Sequence, residues 1–193
     1  MNSFTHSSEV LVSILDTHDL FYPGHSRPVA AHADRLTRRL GLSDEERRNV
    51  HFAALLHDIG KIRIEPALLS AEGNDSEEAR RRLREHPGLG VELLRPIAVW
   101  EGVLPIIYSH HERWDGRGYP SGLRGEEIPL GGRVVAVADA FDAMTRKTPR
   151  GAHKTLRAAA REILSCAGTQ FDRTIATLFV SECLEFERDG ADR

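Results

Sequence analysis

Cysteine is scarce in this chain: 193 residues contain two, Cys166 and Cys183. Each sits in an apolar stretch of helical periodicity, and neither has a second ligand at a spacing such as C-x-x-C. A thiolate metal site and a disulfide framework are therefore disfavoured, and reduced, buried thiols are expected. Positive charge is not in excess either. Lys and Arg number 26 against 29 Asp and Glu, a formal net charge of -3, so there is no overall basic field of the kind that non-specific binding to nucleic acid relies on. A polymeric DNA or RNA partner is disfavoured. No apolar run approaches the roughly 20 residues that cross a bilayer, which argues against a membrane partner. The first ten residues, MNSFTHSSEV, lack a basic region followed by a hydrophobic core, so the expectation is a cytoplasmic protein.

What remains is a chain with 40% apolar residues, enough for one domain with its own core. The apolar positions recur at helical spacing at Val10, Leu11, Ile14 and Leu15, and again at Val29, Ala33, Leu36 and Leu40. Gly24 precedes that second helix and Gly41 ends it. Ser43-Asp44-Glu45-Glu46 is a capping box, which starts a helix that the pattern carries to about Ile59. Gly60 supplies a left-handed residue to close it. Residues Gly73 to Ser76 read as a turn, and Glu77 to Glu85 as a charged helix with Arg80 and Arg84 on one solvated face.

A helix is expected over Pro105 to His111, then an eighteen-residue loop rich in glycine and proline from Asp115 to Gly132; loops of that length usually serve a function. Further helices are expected over Arg133 to Thr145, Leu156 to Ala167 and Asp172 to Glu187, with Asp172 as a cap. With no alternating strand pattern, the fold class is all-α. Residues 1–193 read as a single domain: an N-terminal helix over 1–20, a motif-bearing core over about 19–172, and a C-terminal helix and tail over 173–193.

The abundant feature is histidine, ten in all, several beside aspartate. In His57-Asp58 an imidazole and a carboxylate reach one ion pair together, because a carboxylate has two oxygens and can bridge two metals. Ala53, Ala54, Leu55 and Leu56 precede the pair and point it inward, where a lone carboxylate is costly. A metal compensates that charge, and so does a buried salt bridge. His110-His111 poses the same question: consecutive imidazoles diverge by about 100° on a helix but converge at a helix end. His25, His86 and Asp139 are singletons whose roles, taken one at a time, are as well explained by structure as by ligation.

The order of these residues, H…HD…H…HH…D, together with the string HHERWDGRGYP from His110, resembles the HD-GYP family of HD-domain phosphohydrolases. The likeness runs from HDLFYPGHSRPVA around His25 through LLHDIGK, REHPGLG around His86 and IPLGGRVVAVADAFDAMT to GTQFD ending at Asp172. It implies an HD-domain helical bundle with the long loop after the His pair, and hydrolysis of cyclic di-GMP to linear pGpG and often onward to GMP. It implies His25, His57, Asp58, His86, His110, His111 and Asp139 as metal ligands, with Asp58 the natural bridge. That nitrogen and oxygen set, without thiolate, suits iron or manganese, then cobalt, nickel or zinc. Lys61, which closes the LLHDIGK match, is implied to act with Asp58 in catalysis by holding a phosphate oxygen; a helix-end lysine complementing the dipole is the plainer alternative.

Gly118, Tyr119 and Pro120 form a restrained turn that suits base stacking, partner docking or loop packing. A separate regulatory protein is an expected partner through the Asp115–Gly132 loop. The chain departs from the family at three places. Phe21 stands where some members carry a glutamate that holds a third metal, so two metals are expected. RKTPRG replaces the usual arginine-proline-tyrosine-arginine run, so Arg146, Lys147 and Arg150 are the candidates to restore phosphate contacts. Ala71-Glu72 replaces a lysine-proline pair. These departures leave two alternatives: a non-catalytic nucleotide receptor or interaction module, or a hydrolase of another cyclic dinucleotide or small phosphate ester.

Overall fold

The structure is a computed structural model that describes residues 10–13, 15, 24–69, 76–147 and 153–191. Phe21, Ala71, Glu72, Gly73, Thr148, Arg150 and Gly151 lie outside the described residues. Residues 10–13 and 15 are helical, as the periodicity predicts. The main elements are α1 (Ser26–Arg39), α2 (Asp44–Leu56), α3 (Pro66–Leu69), α4 (Glu77–Leu83), α5 (His86–Leu94), α6 (Leu104–Ser109), α7 (Leu130–Thr145), α8 (Leu156–Ser165) and α9 (Arg173–Ala191). Short 3-10 turns occupy Ile59–Arg63, Ala98–Trp100 and Gly125–Glu127. No strand occurs among the described residues; two isolated bridges, Asp115 to Arg124 and Ala167 to Phe171, are the only β pairing there.

Local signals set most of the boundaries. The Ser43 hydroxyl accepts the Glu46 amide at 3.3 Å while the Glu46 carboxylate accepts the Ser43 amide at 2.9 Å, closing the capping box that starts α2. Gly24 and Gly41 take φ of 75° and 69° on either side of α1. Asp172 caps α9, its Oδ1 accepting the amides of Thr174 at 2.8 Å and Ile175 at 3.3 Å.

α1 lies along both α2 and α7; α5 covers the 59–63 turn and α6; α8 and α9 pack on each other and on α7. One continuous apolar cluster joins them, from Val12 and Leu15 through Leu36, Leu56, Trp100 and Phe141 to Val180. Each fully buried Leu, Ile or Phe in it contributes about 1.5–3 kcal/mol. No helix among the described residues is long and apolar enough to cross a membrane.

Several expected boundaries move. The helix expected to run to Ile59 ends at Leu56, because His57 and Asp58 turn out of it into the 3-10 segment. Gly60 does not close it with a left-handed φ. Its glycine is required by proximity instead: a Cβ there would stand 2.0 Å from the His86 carbonyl oxygen and 2.6 Å from the Gly90 amide nitrogen. The helix expected over Pro105 to His111 is Leu104–Ser109, which leaves both histidines just past its end. The loop expected to reach Gly132 stops at Pro129, since Gly131 and Gly132 are helical. A Cβ at Gly132 would meet Ser109 Oγ at 2.2 Å, so these glycines let α7 cross close to α6. α4 and α8 end earlier than expected, at Leu83 and Ser165, and α9 runs on to Ala191. Cys166, the cap of α8, and Cys183, on α9, are free thiols packed against the core but half-buried, not fully enclosed as expected.

Gly60→Ala should lower stability by about 2–3 kcal/mol through overpacking. Gly88→Ala, where the nearest atom is 3.9 Å away in α5, should raise it by about 0.5–1 kcal/mol. Urea midpoints at constant m distinguish the two; equal behaviour would remove close approach as the reason for Gly60.

Candidate metal centre

Helix ends build this site. The last carbonyls of a helix have no partner within it, and at three ends a histidine provides one. His57 Nδ1 donates to the Ala54 carbonyl at 2.9 Å at the end of α2, His86 Nδ1 to Leu83 at 2.5 Å at the end of α4, and His110 Nδ1 to Ile107 at 2.6 Å at the end of α6. Each bond runs from residue i to i−3. Because a carbonyl can only accept, Nδ1 carries the proton in each bond, which leaves Nε2 as the inward-facing nitrogen that a metal could take, the arrangement that orients metal-binding histidines.

Those nitrogens converge. His86 Nε2 and His110 Nε2 face each other at 3.2 Å, and His57 Nε2 is buried with no hydrogen-bond partner. At their meeting point lies Asp58, whose Oδ1 is 3.2 Å from His86 Nε2 and whose Oδ2 is 3.0 Å from His25 Nε2 and 3.5 Å from His57 Nε2. Two sets of donor atoms result, each within 4.8 Å: Asp58, His86, His110 and His111, and His25, His57 and Asp58. Asp58 is common to both.

Asp139, on α7, stands at the edge of these sets, with Oδ1 3.7 Å from His57 Nε2 and 3.8 Å from His25 Nδ1. The structure thus brings together all seven residues that the sequence motifs single out. His111 lies between rings, 4.1 Å from His110 and 4.8 Å from Tyr119, to which it is nearly parallel at 28°.

The electrostatics favour a cation here. Burial pushes the Asp58 carboxyl up, but Lys61, His57, His25 and His86 outweigh it and hold it well below the usual carboxylate range. Asp139 is likewise held down, chiefly by His57, against its own burial. Burial and the neighbouring imidazoles push His110 well down, and His111 to about 3, so both are neutral. His25 differs: burial lowers it, yet the carboxylates of Asp142 and Asp58 raise it to about 10. The residues therefore fit divalent ions, judged by bare, inward-pointing nitrogens around a shared anionic carboxylate.

Lys61 borders the site, its Nζ donating to Asp58 Oδ2 at 2.5 Å. A cavity of about 150 Å³ opens here, lined by His25, Asp58, Lys61, His111, Asp139 and Asp142. Asp142 was not singled out from sequence; it lies one helical turn after Asp139, with Oδ2 3.7 Å from His25 Nδ1. Spacing of i, i+3 on one helix was the signal for it. Arg146 is drawn to Asp142, Nε to Oδ2 at 3.0 Å, while Lys147 is exposed.

In the loop, Gly118 backs onto Glu112, where a Cβ would come within 2.5 Å of the Glu112 Cα. Pro120 is exposed. Buried Glu112, also missed from sequence, accepts the amides of Ser121 at 2.7 Å and Gly122 at 3.0 Å and so fixes the loop against the His pair.

A family profile described as HD domain matches residues 9–175. A cyclic di-GMP phosphodiesterase of Thermotoga maritima is 35% identical over 186 residues, covering 95% of this chain and 50% of the relative. The cyclic di-GMP phosphodiesterase response regulator RpfG of Xanthomonas campestris is 44% identical over 145 residues, covering 72% of this chain and 38% of the relative. The chain spans half or less of these relatives' length. Among solved structures, a cyclic GMP-AMP-specific phosphodiesterase of Vibrio cholerae superposes with a TM-score of 0.74 at 22% identity, over 94% of this chain and 49% of that one, a likeness of fold. Profile, fold and the His-Asp order agree, and the chain belongs to the HD domain family.

Proposed function

We propose that this chain is a metal-dependent phosphodiesterase that hydrolyses a cyclic dinucleotide, cyclic di-GMP in the first instance, to the linear pGpG. The observation that carries this reading is the convergence of three Nδ1-anchored histidines on Asp58, which joins two donor sets through one carboxylate. Two ions per chain suit two sets that share a bridge. Iron or manganese suits the nitrogen and oxygen donors best. His25, His57, Asp58, His86, His110, His111 and Asp139 would hold them. Bound divalent ions supply an acidified water and neutralise charge on the phosphoryl oxygens.

Hydrolysis adds the water oxygen to phosphorus and breaks the P–O3′ bond, and the departing 3′ oxygen takes up a proton. Lys61 Nζ lies on the wall of the cavity and would hold a phosphoryl oxygen as charge grows on it. Asp142 would orient His25 from behind. The cavity admits one phosphodiester, with the nucleosides outside it. The relatives' names include both cyclic di-GMP and cyclic GMP-AMP, so both belong in the assay. We also read residues 1–193 as a single domain, supported by one apolar cluster reaching from Val12 to Val180.

Elemental analysis of purified protein should give about two divalent ions per chain, and Asp58→Ala should lose both the metal and the hydrolysis of cyclic di-GMP. Tyr119→Ala should keep its metal; equal metal loss in the two variants would place the centre elsewhere. Lys61→Ala should lower the single-turnover rate about a hundredfold with metal content retained. A rate equal to the parent's would reduce Lys61 to a helix-end charge.

Metal uptake should also release protons. His25, raised to about 10, carries a proton at pH 8 that a ligand nitrogen must give up, whereas His111 at about 3 carries none. Metal affinity should therefore fall as pH falls. Calorimetry in buffers of differing ionisation enthalpy should count about one proton per chain; a count of zero would sink this assignment of His25.

A further inference from the structure

A cyclic dinucleotide has two phosphodiesters, and the 150 Å³ cavity at the metal centre has room for one. On the reading above, the second phosphate lies outside that cavity and needs its own cation. Lys61 lines that cavity and donates to Asp58, and Arg146, one turn on from Asp142, donates to Asp142.

Arg84 is placed differently. It is the C-terminal cap of α4, two residues before His86, and its side chain is exposed. Its guanidinium carbon lies 5.6 Å from the centroid of the Tyr119 ring, and Tyr119 in turn stacks on His111 at 4.8 Å. Arg84 is thus two ring contacts from the donor set of the metal centre. No carboxylate among the described residues is paired with it, whereas Arg82 of the same helix is tied to Glu85.

Beside Tyr119, Arg84 borders an open depression that also exposes Arg80, Arg81, Glu77 and Glu78, with arginine in excess of glutamate. The acidic pair lies in the first turn of α4 and the arginines in the last, so the basic end is the one next to Tyr119. A guanidinium over an aromatic face is held there by cation–π attraction and keeps its N–H groups available for two phosphate oxygens.

We infer that Arg84, held over Tyr119, takes the non-scissile phosphate of the cyclic dinucleotide whose other phosphate occupies the metal centre, and is a specificity-determining residue for substrates with two phosphates. The role rests on the proposed function above. It also gives Tyr119 a purpose: the ring spaces and orients the guanidinium relative to His111.

The test compares metal-loaded parent, Arg84→Ala and Arg84→Lys on cyclic di-GMP and on bis(p-nitrophenyl) phosphate, a diester with a single phosphate. Arg84→Ala should raise KM for cyclic di-GMP about tenfold or more, and its loss in kcat/KM should be at least tenfold larger for cyclic di-GMP than for the small diester. Arg84→Lys should recover part of the loss, since it keeps the charge without the planar fork. Metal content should match the parent's in both variants. If the parent cleaves both substrates and Arg84→Ala keeps the parent's KM for cyclic di-GMP, or loses equally on both, the role of Arg84 alone is overturned. If the parent cleaves the small diester and not the cyclic dinucleotide, the proposed substrate is wrong and this role falls with it.

Discussion

Three hydrogen bonds from imidazole Nδ1 to helix-end carbonyls hold the centre of this protein in place. Each satisfies a carbonyl that the helix leaves orphaned, and each fixes the tautomer that turns Nε2 inward. The packing of the bundle serves this arrangement. Gly60 lets the turn after α2 rest on the backbone of α5 at His86, and Gly131 and Gly132 let α7 approach α6.

Asp58 is the cost and the focus of the design. A carboxylate buried to 2% exposure is expensive without compensation, and here Lys61 and three histidines surround it. The same crowding makes the site receptive to cations, because His110 and His111 are kept neutral while Asp58 and Asp139 stay charged. In contrast to His110 and His111, His25 is drawn towards protonation by Asp142 and Asp58, so a proton would compete there with a bound ion.

Around this centre the loop after the His pair supplies shape. Glu112 gathers two loop amides, Gly118 lies flat against the Glu112 backbone, and Tyr119 is laid over His111 as a result. The ring then connects the enclosed metal centre to the exposed end of α4, where Arg84 stands over it. The candidate ligands sit on helices and helix ends, while on the proposed reading the groups that would meet the rest of a substrate sit on a loop and a short helix. That division lets substrate choice vary without disturbing the metal set.

The sequence by itself determined the helical class, the capping box at Ser43, the cap at Asp172 and the seven metal-binding candidates, because these depend on periodicity and on side-chain chemistry at fixed spacing. It also marked Gly60 as special but for the wrong reason: a glycine pattern carries no record of whether φ or a neighbouring backbone demands it. Asp142, Glu112 and Arg84 were less legible, since each acts through partners far away in the chain, His25, the 121–122 amides and Tyr119. Only the tertiary structure decided which histidine nitrogen faces inward, because the carbonyl that fixes it is exposed only where a helix ends. It also decided where the helices end and how closely they pass, because contacts such as that of Gly60 with the His86 backbone join residues far apart in the chain.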